Sequence, residues 1–332
     1  MLYVETKSKD AAFHFSVENF LMQNSKSDEP ILMLWRADEC VMLGNYQVAA
    51  AEIDLNYAQS SNIRVLRRSS GGGTIYVDSG TFFYTVISPL KDYQYALQLT
   101  RETVATPIVN ALNEMKIPAE LQGRNDIVVH GKKVSGLAQY ACNNRLCSHG
   151  SLLFDTDLDV LTKVLQVDES KISSKALRSV RSRVTNLREY HNCSPDDFFD
   201  LFKQKLFEGN QIQEYTLSDE ELIEIDKIYN EKYGNPSWVH ERSPICTFHN
   251  GTRFEGGKVE VYLDVVKGSV ASCSIFGDFL GINPIRGLEE VLENTVFEYQ
   301  AFDEALTKIP LQPYLGTITK EQLLSCIFGG NT

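Results

Sequence analysis

Residues 66 to 80 read LRRSSGGGTIYVDSG, and the three consecutive glycines between two strand-like stretches constrain the fold of this 332-residue chain more than any other feature. Bare backbone at such a place has two readings. Glycine adopts angles that other residues avoid, so the triplet serves as a tight turn between strands. It also leaves backbone N–H groups open to an anion or a flat ligand, because no side chain intervenes. Arg67 and Arg68 favour the second reading, since a guanidinium carries permanent charge and fixed donors suited to phosphate or carboxylate. A P-loop would need GxxxxGK followed by Ser or Thr, and the chain instead continues Thr74-Ile75-Tyr76. A GxGxxG turn would open a helix, whereas the residues after Gly73 read as strand. Both of those phosphate sites are disfavoured.

The surrounding pattern predicts a mixed α+β chain. Residues 31 to 43 read as two short strands around Ala37-Asp38-Glu39, and Arg64 to Arg68 as a strand entering the glycines. TIYVDSGTFFYTVIS leaves them as β-rich chain with a bend at Gly80. Apolar residues recur at Leu97, Val104, Ile108, Ala111, Leu112 and Met115, a helix face that Pro107 is expected to kink or break. DIVVHGKKVSGLAQY reads as a hairpin turning at His130-Gly131, CSHGSLLF as a further strand and DTDLDVLTKVL as a helix. Ser218 and Glu221 stand at capping-box spacing at the start of a helix that runs out at Gly234. NPSWVHERSP, with two prolines and no periodicity, marks a domain boundary near residue 245. Beyond it, alternation around Gly256-Gly257 and Lys267-Gly268 predicts a small antiparallel unit closed by helices. The expected domains are 1–245 and 246–332, a large mixed-sheet domain flanked by helices and a small α+β accessory domain.

Charge narrows the partners. A net charge of −12 argues against a nucleic-acid binder relying on phosphate neutralisation, and no apolar run reaches the roughly eighteen residues of a membrane span. The N-terminus lacks the pattern of a secretory or transit signal, so the cytoplasm is the expected location. Seven scattered cysteines without a CxxC argue against a disulfide framework or a zinc site. Against the acidic background, basic residues gather in RVLRRSS, HGKKVSG and SSKALRSVRSRVTNLRE, and three such runs in one acidic protein ask for an anionic ligand. Strand alternation sends Lys132 to solvent and Lys133, beside the small Ser135-Gly136 step, toward a cleft. His149 alone reads as a satisfied structural histidine, and a Cys/His nucleophile built with Cys142 or Cys147 lacks an orienting third group.

Together, RRSSGGGTIYVDSG, GRNDIVVHGKKVSG, HGSLL and SVRSRVTNL, in this order and at these separations, resemble the lipoate–protein ligase family, and RFEGGKVEVYLDVVKGSV resembles that family's small accessory domain. The resemblance implies a biotin/lipoate-ligase-like catalytic fold. It implies a two-step reaction: lipoate and ATP give lipoyl-adenylate and pyrophosphate, and a lysine of an acceptor then takes the acyl group with release of AMP. The acceptor would be the lipoyl domain of a 2-oxoacid dehydrogenase or the glycine cleavage H protein. By motif position, Lys133 is the catalytic residue, touching acyl carbonyl and phosphate alike. Arg68, Gly73, Thr74, Ile75, Tyr76, Asn125, Asp126, Arg181 and Arg183 would line the nucleotide together with Lys133. Trp35, Arg68, Ser70, Gly71, Gly72, His149 and Gly150 would line the lipoate with it. Asp126 is the candidate ligand for Mg²⁺, which favours carboxylate and phosphate oxygens. SVRSRVTNL matches the family's adenylate-binding loop, which would shield a hydrolysable anhydride from water.

The chain departs from the family pattern at Val77, where a histidine is usual, at Thr81, where an asparagine is usual, and at Ser151, where a threonine is usual; the linker also lacks the common Glu-Trp and glycine. The Val77 departure puts the acyl-pocket lining and the choice between lipoate and octanoate in question. The rival readings are an ATP-independent lipoyl or octanoyl transferase, which a thioester at Cys142 or Cys147 would support, a non-catalytic lipoyl binder, and a biotin ligase.

Overall fold

The computed structural model describes residues 1–123, 125–165, 183–209, 211–240 and 246–329. Its strands are β1 (Leu2–Val4), β2 (Ile31–Arg36), β3 (Cys40–Leu43), β4 (Arg64–Arg67), β5 (Ile75–Val77), β6 (Thr81–Pro89), β7 (Ala119–Gln122), β8 (Asp126–Val129), β9 (Lys132–Cys142), β10 (Arg145–Leu153), β11 (Gln213–Tyr215), β12 (Phe248–Phe254), β13 (Gly257–Val266) and β14 (Ser269–Gly277). Eight of them form a mixed sheet in the order β11-β1-β2-β6-β10-β9-β8-β7. β1 runs parallel to β11 and β2, and the remaining pairs are antiparallel.

Both faces of this sheet are buried. Along β2, Leu32 and Leu34 face a core shared with the helices Thr106–Glu114 and Pro195–Phe207. Ile31, Met33 and Trp35 face a second core under the helices Ala11–Asn24 and Asp219–Ile228. The alternation of a strand thus supplies both layers. The turn at Ala37-Asp38-Glu39 does not return the chain to the same sheet, because β3 joins a separate three-stranded sheet in the order β4-β3-β5. The glycine triplet connects β4 to β5 in this small sheet, beside the large one.

Pro107 does not break its helix. The five residues Arg101–Ala105 form a wide π turn, so that the Thr106 N–H reaches the Arg101 carbonyl, and Pro107 falls in the first turn of the next helical segment. Its missing N–H has no partner to lose there. The predicted hairpin turns at His130 and Gly131, both with positive φ (51° and 74°), which suits a tight two-residue loop. The Ser218–Glu221 capping box forms as expected.

The small unit is the antiparallel sheet β12-β13-β14 closed by helices that include Arg286–Leu292, Tyr299–Thr307 and Lys320–Phe328. Its core takes in Tyr46 of the large unit, whose ring stacks on Phe279 at 5.2 Å. No helix among the described residues is long and apolar enough to cross a membrane.

Candidate active site

Both arginines that introduce the glycines turn inward. Arg67 is 1% exposed and donates to the carbonyls of Gly44 at 3.0 Å, Gln47 at 2.6 Å and Trp238 at 3.1 Å. Arg68 donates to the carbonyls of Met42 (2.9 Å), Gly71 (2.8 Å) and Gly73 (2.7 Å) and to the Ser70 hydroxyl (3.1 Å). Burial, with Arg67 adjacent, pulls the Arg68 pKa down to about 10, so it stays a cation at neutral pH. Arg68 is therefore the spine of the loop and part of the cavity wall together. By drawing the glycine carbonyls onto itself it fixes the loop's conformation.

The three glycines have different reasons to be glycine. A Cβ on Gly71 would lie 2.6 Å from the Phe279 carbonyl oxygen of the small unit. Gly72 has φ 89°, a left-handed conformation, and its N–H meets that same carbonyl at 3.3 Å. A Cβ on Gly73 would meet nothing within 4 Å. Gly71 and Gly72 thus seat the second unit, and Gly73 alone faces open space. Thr74 is braced by its hydroxyl, which donates to the Gln47 side chain at 2.8 Å.

On the opposite wall the hairpin β8–β9 carries one extra residue. Asp126 pairs with Gly136 and Val128 with Lys133, so the register shifts between them. Because Asp126 and Val128 share a face, the bulge puts Lys133 and Gly136 on that face although they are three positions apart. Lys133 then lies across Gly136, where a Cβ would fall 2.8 Å from its Nζ, and pairs with Asp126 at 2.7 Å. Lys132 is exposed, as alternation predicts. Asn125 closes this end, its side chain donating to the Leu137 carbonyl at 2.9 Å. The backbone of Lys133 also receives the far end of SVRSRVTNL: the Thr185 N–H donates to the Lys133 carbonyl at 3.0 Å, and Val184 bridges Lys133 in parallel.

The other end is aromatic. The Trp35 ring lies between Phe83 at 4.1 Å and His14 at 4.4 Å, with Phe15 edge-on at 6.0 Å. His149 stands beside them, its Nε2 2.7 Å from the Ser70 hydroxyl and its Nδ1 3.2 Å from both carboxylate oxygens of Glu18. The cavity between these walls measures about 280 Å³. Of the residues singled out from sequence, Trp35, Arg68, Gly72, Gly73, Thr74, Ile75, Tyr76, Asn125, Lys133, His149 and Gly150 line it. Ser70 and Gly71 do not; they are buried behind the wall. Asp126 stands at the edge through its ion pair with Lys133. Arg183 is exposed and lines no part of the cavity, and Arg181 lies outside the described residues.

Val77 is fully buried in the core that also holds Trp35 and Phe83, and it stands behind the cavity wall without lining it. Cys142 and Cys147 are also absent from the wall, and burial pushes the Cys147 thiol well above its ordinary pKa. The sequence reading missed Glu18, Phe83 and Leu280, the last reaching the cavity from the small unit. No spacing around any of the three marks them.

An apolar pocket closed at one end by aromatic rings, and at the other by a lysine, an asparagine and an open glycine backbone, suits a ligand with an apolar tail and an anionic head. The chain matches the family described as Lipoyl protein ligase A/B catalytic domain over residues 10–207 and the Bacterial lipoate protein ligase C-terminus over residues 243–327. It is 32% identical to the lipoate-protein ligase LplJ of Bacillus subtilis, across 99% of this chain and 100% of that protein. Among solved structures it resembles P. falciparum LipL1 in complex with lipoate (26% identity, 93% and 94% of the two chains, TM-score 0.77). It also resembles a lipoate-protein ligase A bound with ATP (26% identity, 72% and 97%, TM-score 0.61). With both of its units matched and the motif residues gathered on one cavity, the chain belongs to the lipoate–protein ligase family.

Proposed function

We propose that this chain joins lipoate to a lysine of an acceptor protein at the expense of ATP, in two steps at one cavity. The observation that carries the reading is that Lys133 and the open Gly73 backbone line the same pocket as the Trp35–Phe83 stack. A carboxylate is a poor electrophile because its oxygen leaves badly. In the first step a lipoate carboxylate oxygen attacks the α-phosphorus of ATP and pyrophosphate departs, which turns that oxygen into part of a good leaving group. In the second, the acceptor's neutral amine attacks the acyl carbon, the bond to the AMP oxygen breaks, and the amine's extra proton is lost as the amide forms.

Lys133 works electrostatically in both steps. Its ammonium is held at the wall by Asp126, and it offsets the charge that gathers first on the phosphate and then on the acyl oxygen. The loop N–H groups near Gly73 add donors with no side chain in the way. The aromatic end holds the carbon chain, each buried CH₂ contributing roughly 0.8 kcal/mol. Asp126 is the carboxylate at this end, and one carboxylate with substrate phosphates is a usual set for Mg²⁺, which would supply further charge neutralisation. The catalytic part comprises residues 1–245 and the accessory part 246–332, and the acceptor is a lipoyl domain or an H protein met in the cytoplasm. A cysteine-dependent transferase finds no support in the cavity, since no cysteine among the described residues lines it.

The test is lipoate-dependent exchange of labelled pyrophosphate into ATP, with wild type and Lys133→Ala compared. Loss of this cation should lower exchange at least about a hundredfold while the variant melts near the wild-type temperature. A folded wild type that catalyses no exchange, yet moves the acyl group between proteins without ATP, rejects the ligase reading in favour of a transferase.

A further inference from the structure

Behind the cavity wall, a chain of buried hydrogen bonds joins six residues from five separate segments. Arg68 Nε donates to the Ser70 hydroxyl at 3.1 Å, and that hydroxyl lies 2.7 Å from His149 Nε2. His149 Nδ1 meets the Glu18 carboxylate at 3.2 Å. From the other side, the Trp35 indole N–H donates to the Thr85 hydroxyl at 3.2 Å, and that hydroxyl donates to Glu18 Oε1 at 2.6 Å. Glu18 is 2% exposed, Thr85 and Ser70 are 0% exposed, and Glu18 itself does not line the cavity.

The proton positions follow from the donors and acceptors. A carboxylate only accepts, so Nδ1 of His149 carries a hydrogen and points it at Glu18. In the neutral imidazole Nε2 then accepts, so Ser70 donates to it, which agrees with Ser70 accepting from Arg68. Thr85 accepts from Trp35 and spends its one hydrogen on Glu18. Both strings of donors, Arg68–Ser70–His149 and Trp35–Thr85, therefore converge on one acceptor, whose charge also favours the Arg68 cation.

We infer that Glu18 is the positioning residue of the acyl cavity: one carboxylate fixes the imidazole tautomer, the Ser70–Arg68 arm and the Trp35 indole, three pieces of wall brought from different elements. The inference rests on the reading of this cavity as the lipoate pocket. Glu18→Gln keeps the shape but removes the charge: one amide oxygen must then serve both the Thr85 hydroxyl and His149 Nδ1, with an NH₂ donor 3.2 Å from the same Nδ1–H, so both strings are held more weakly. Acyl binding loosens while nucleotide binding is largely kept, because Trp35 and His149 stand at the aromatic end and Arg68, tied to this network only through Nε, keeps its bonds to the carbonyls of Met42, Gly71 and Gly73.

The chain has only two tryptophans, and the second, Trp238, donates its indole N–H to the Arg67 carbonyl in a separate contact, so it serves as an internal reference. In ¹⁵N-labelled, ligand-free protein, Glu18→Gln should shift the Trp35 indole N–H resonance and the His149 ring nitrogens and leave the Trp238 resonance in place. Thr85→Val, which cuts one string, should shift Trp35 and spare His149. Calorimetry with lipoate should then find its dissociation constant raised about tenfold or more in Glu18→Gln. The KM for ATP in pyrophosphate exchange should stay within about twofold. Unmoved Trp35 and His149 resonances overturn the proposal, as does unchanged lipoate affinity, or a KM for ATP that rises with the one for lipoate. If the wild type binds no lipoate while the resonances respond as described, the identity of the ligand fails and the convergence on Glu18 stands.

Discussion

Each residue of the glycine triplet answers to a different neighbour, so substitutions there should fail in different ways. Gly71→Ala drives a methyl group onto the Phe279 carbonyl, 2.6 Å away, and backbone on both sides leaves little room to yield. Its expected result is a lower melting temperature, with a loss of about 1–3 kcal/mol in denaturant unfolding. Gly73→Ala meets open space, so the fold should hold and pyrophosphate exchange should fall instead, through a raised KM for the substrates. Measuring both properties on both variants checks the assignment. At this scale the sequence was legible where chemistry is local: Lys133 toward the cleft and Lys132 away from it. Arg67 and Arg68 were read as ligand cations, but side chains long enough to reach a ligand also reach nearby carbonyls: Arg67 turns away to those of Gly44 and Gln47, while Arg68 lines the cavity and also holds those of its own loop.

At the level of elements, the short helix Ala49–Glu52 ends in a carboxyl that faces the small unit. Burial raises the Glu52 pKa to about 7; Lys258 pulls against this, and Asp278 and Glu260 add to it. The folded value thus lies above the ordinary 4.5, so between about 4.5 and 7 the native state holds a proton that the unfolded chain has lost. Stability from this group therefore falls as pH rises through that window, and the full cost is present above it. Glu52→Gln should melt higher than wild type at pH 8 and nearly with it at pH 5, a difference that thermal unfolding at the two values reads directly. Strands, hairpins and caps were legible because alternation and turn residues are local signals. The bulge that aims Lys133 was not, since one inserted residue leaves the apolar pattern intact. The helix Ala11–Asn24 was silent for the opposite reason: ten of its fourteen residues are buried, so no polar face marks a period, and Glu18 hides in that run.

For the whole molecule, the second unit completes the site and does not merely accompany it. Phe279 is 0% exposed, stacks on Tyr46 and lends its carbonyl to Gly72, while Leu280 enters the cavity wall. Phe279→Ala should cost about 3–5 kcal/mol in denaturant unfolding and lower adenylation even though it touches no catalytic group. This dependence was not legible, because contact between residues more than two hundred positions apart leaves no mark in either stretch. It has a temporal consequence. Domains emerge and fold from the N-terminus during synthesis. A ribosome that has delivered every one of the four large-domain motifs, through Leu187, has not yet delivered the last wall of the cavity. An enzyme that activates carboxylates at the expense of ATP thus stays incomplete until its own translation has passed Leu280.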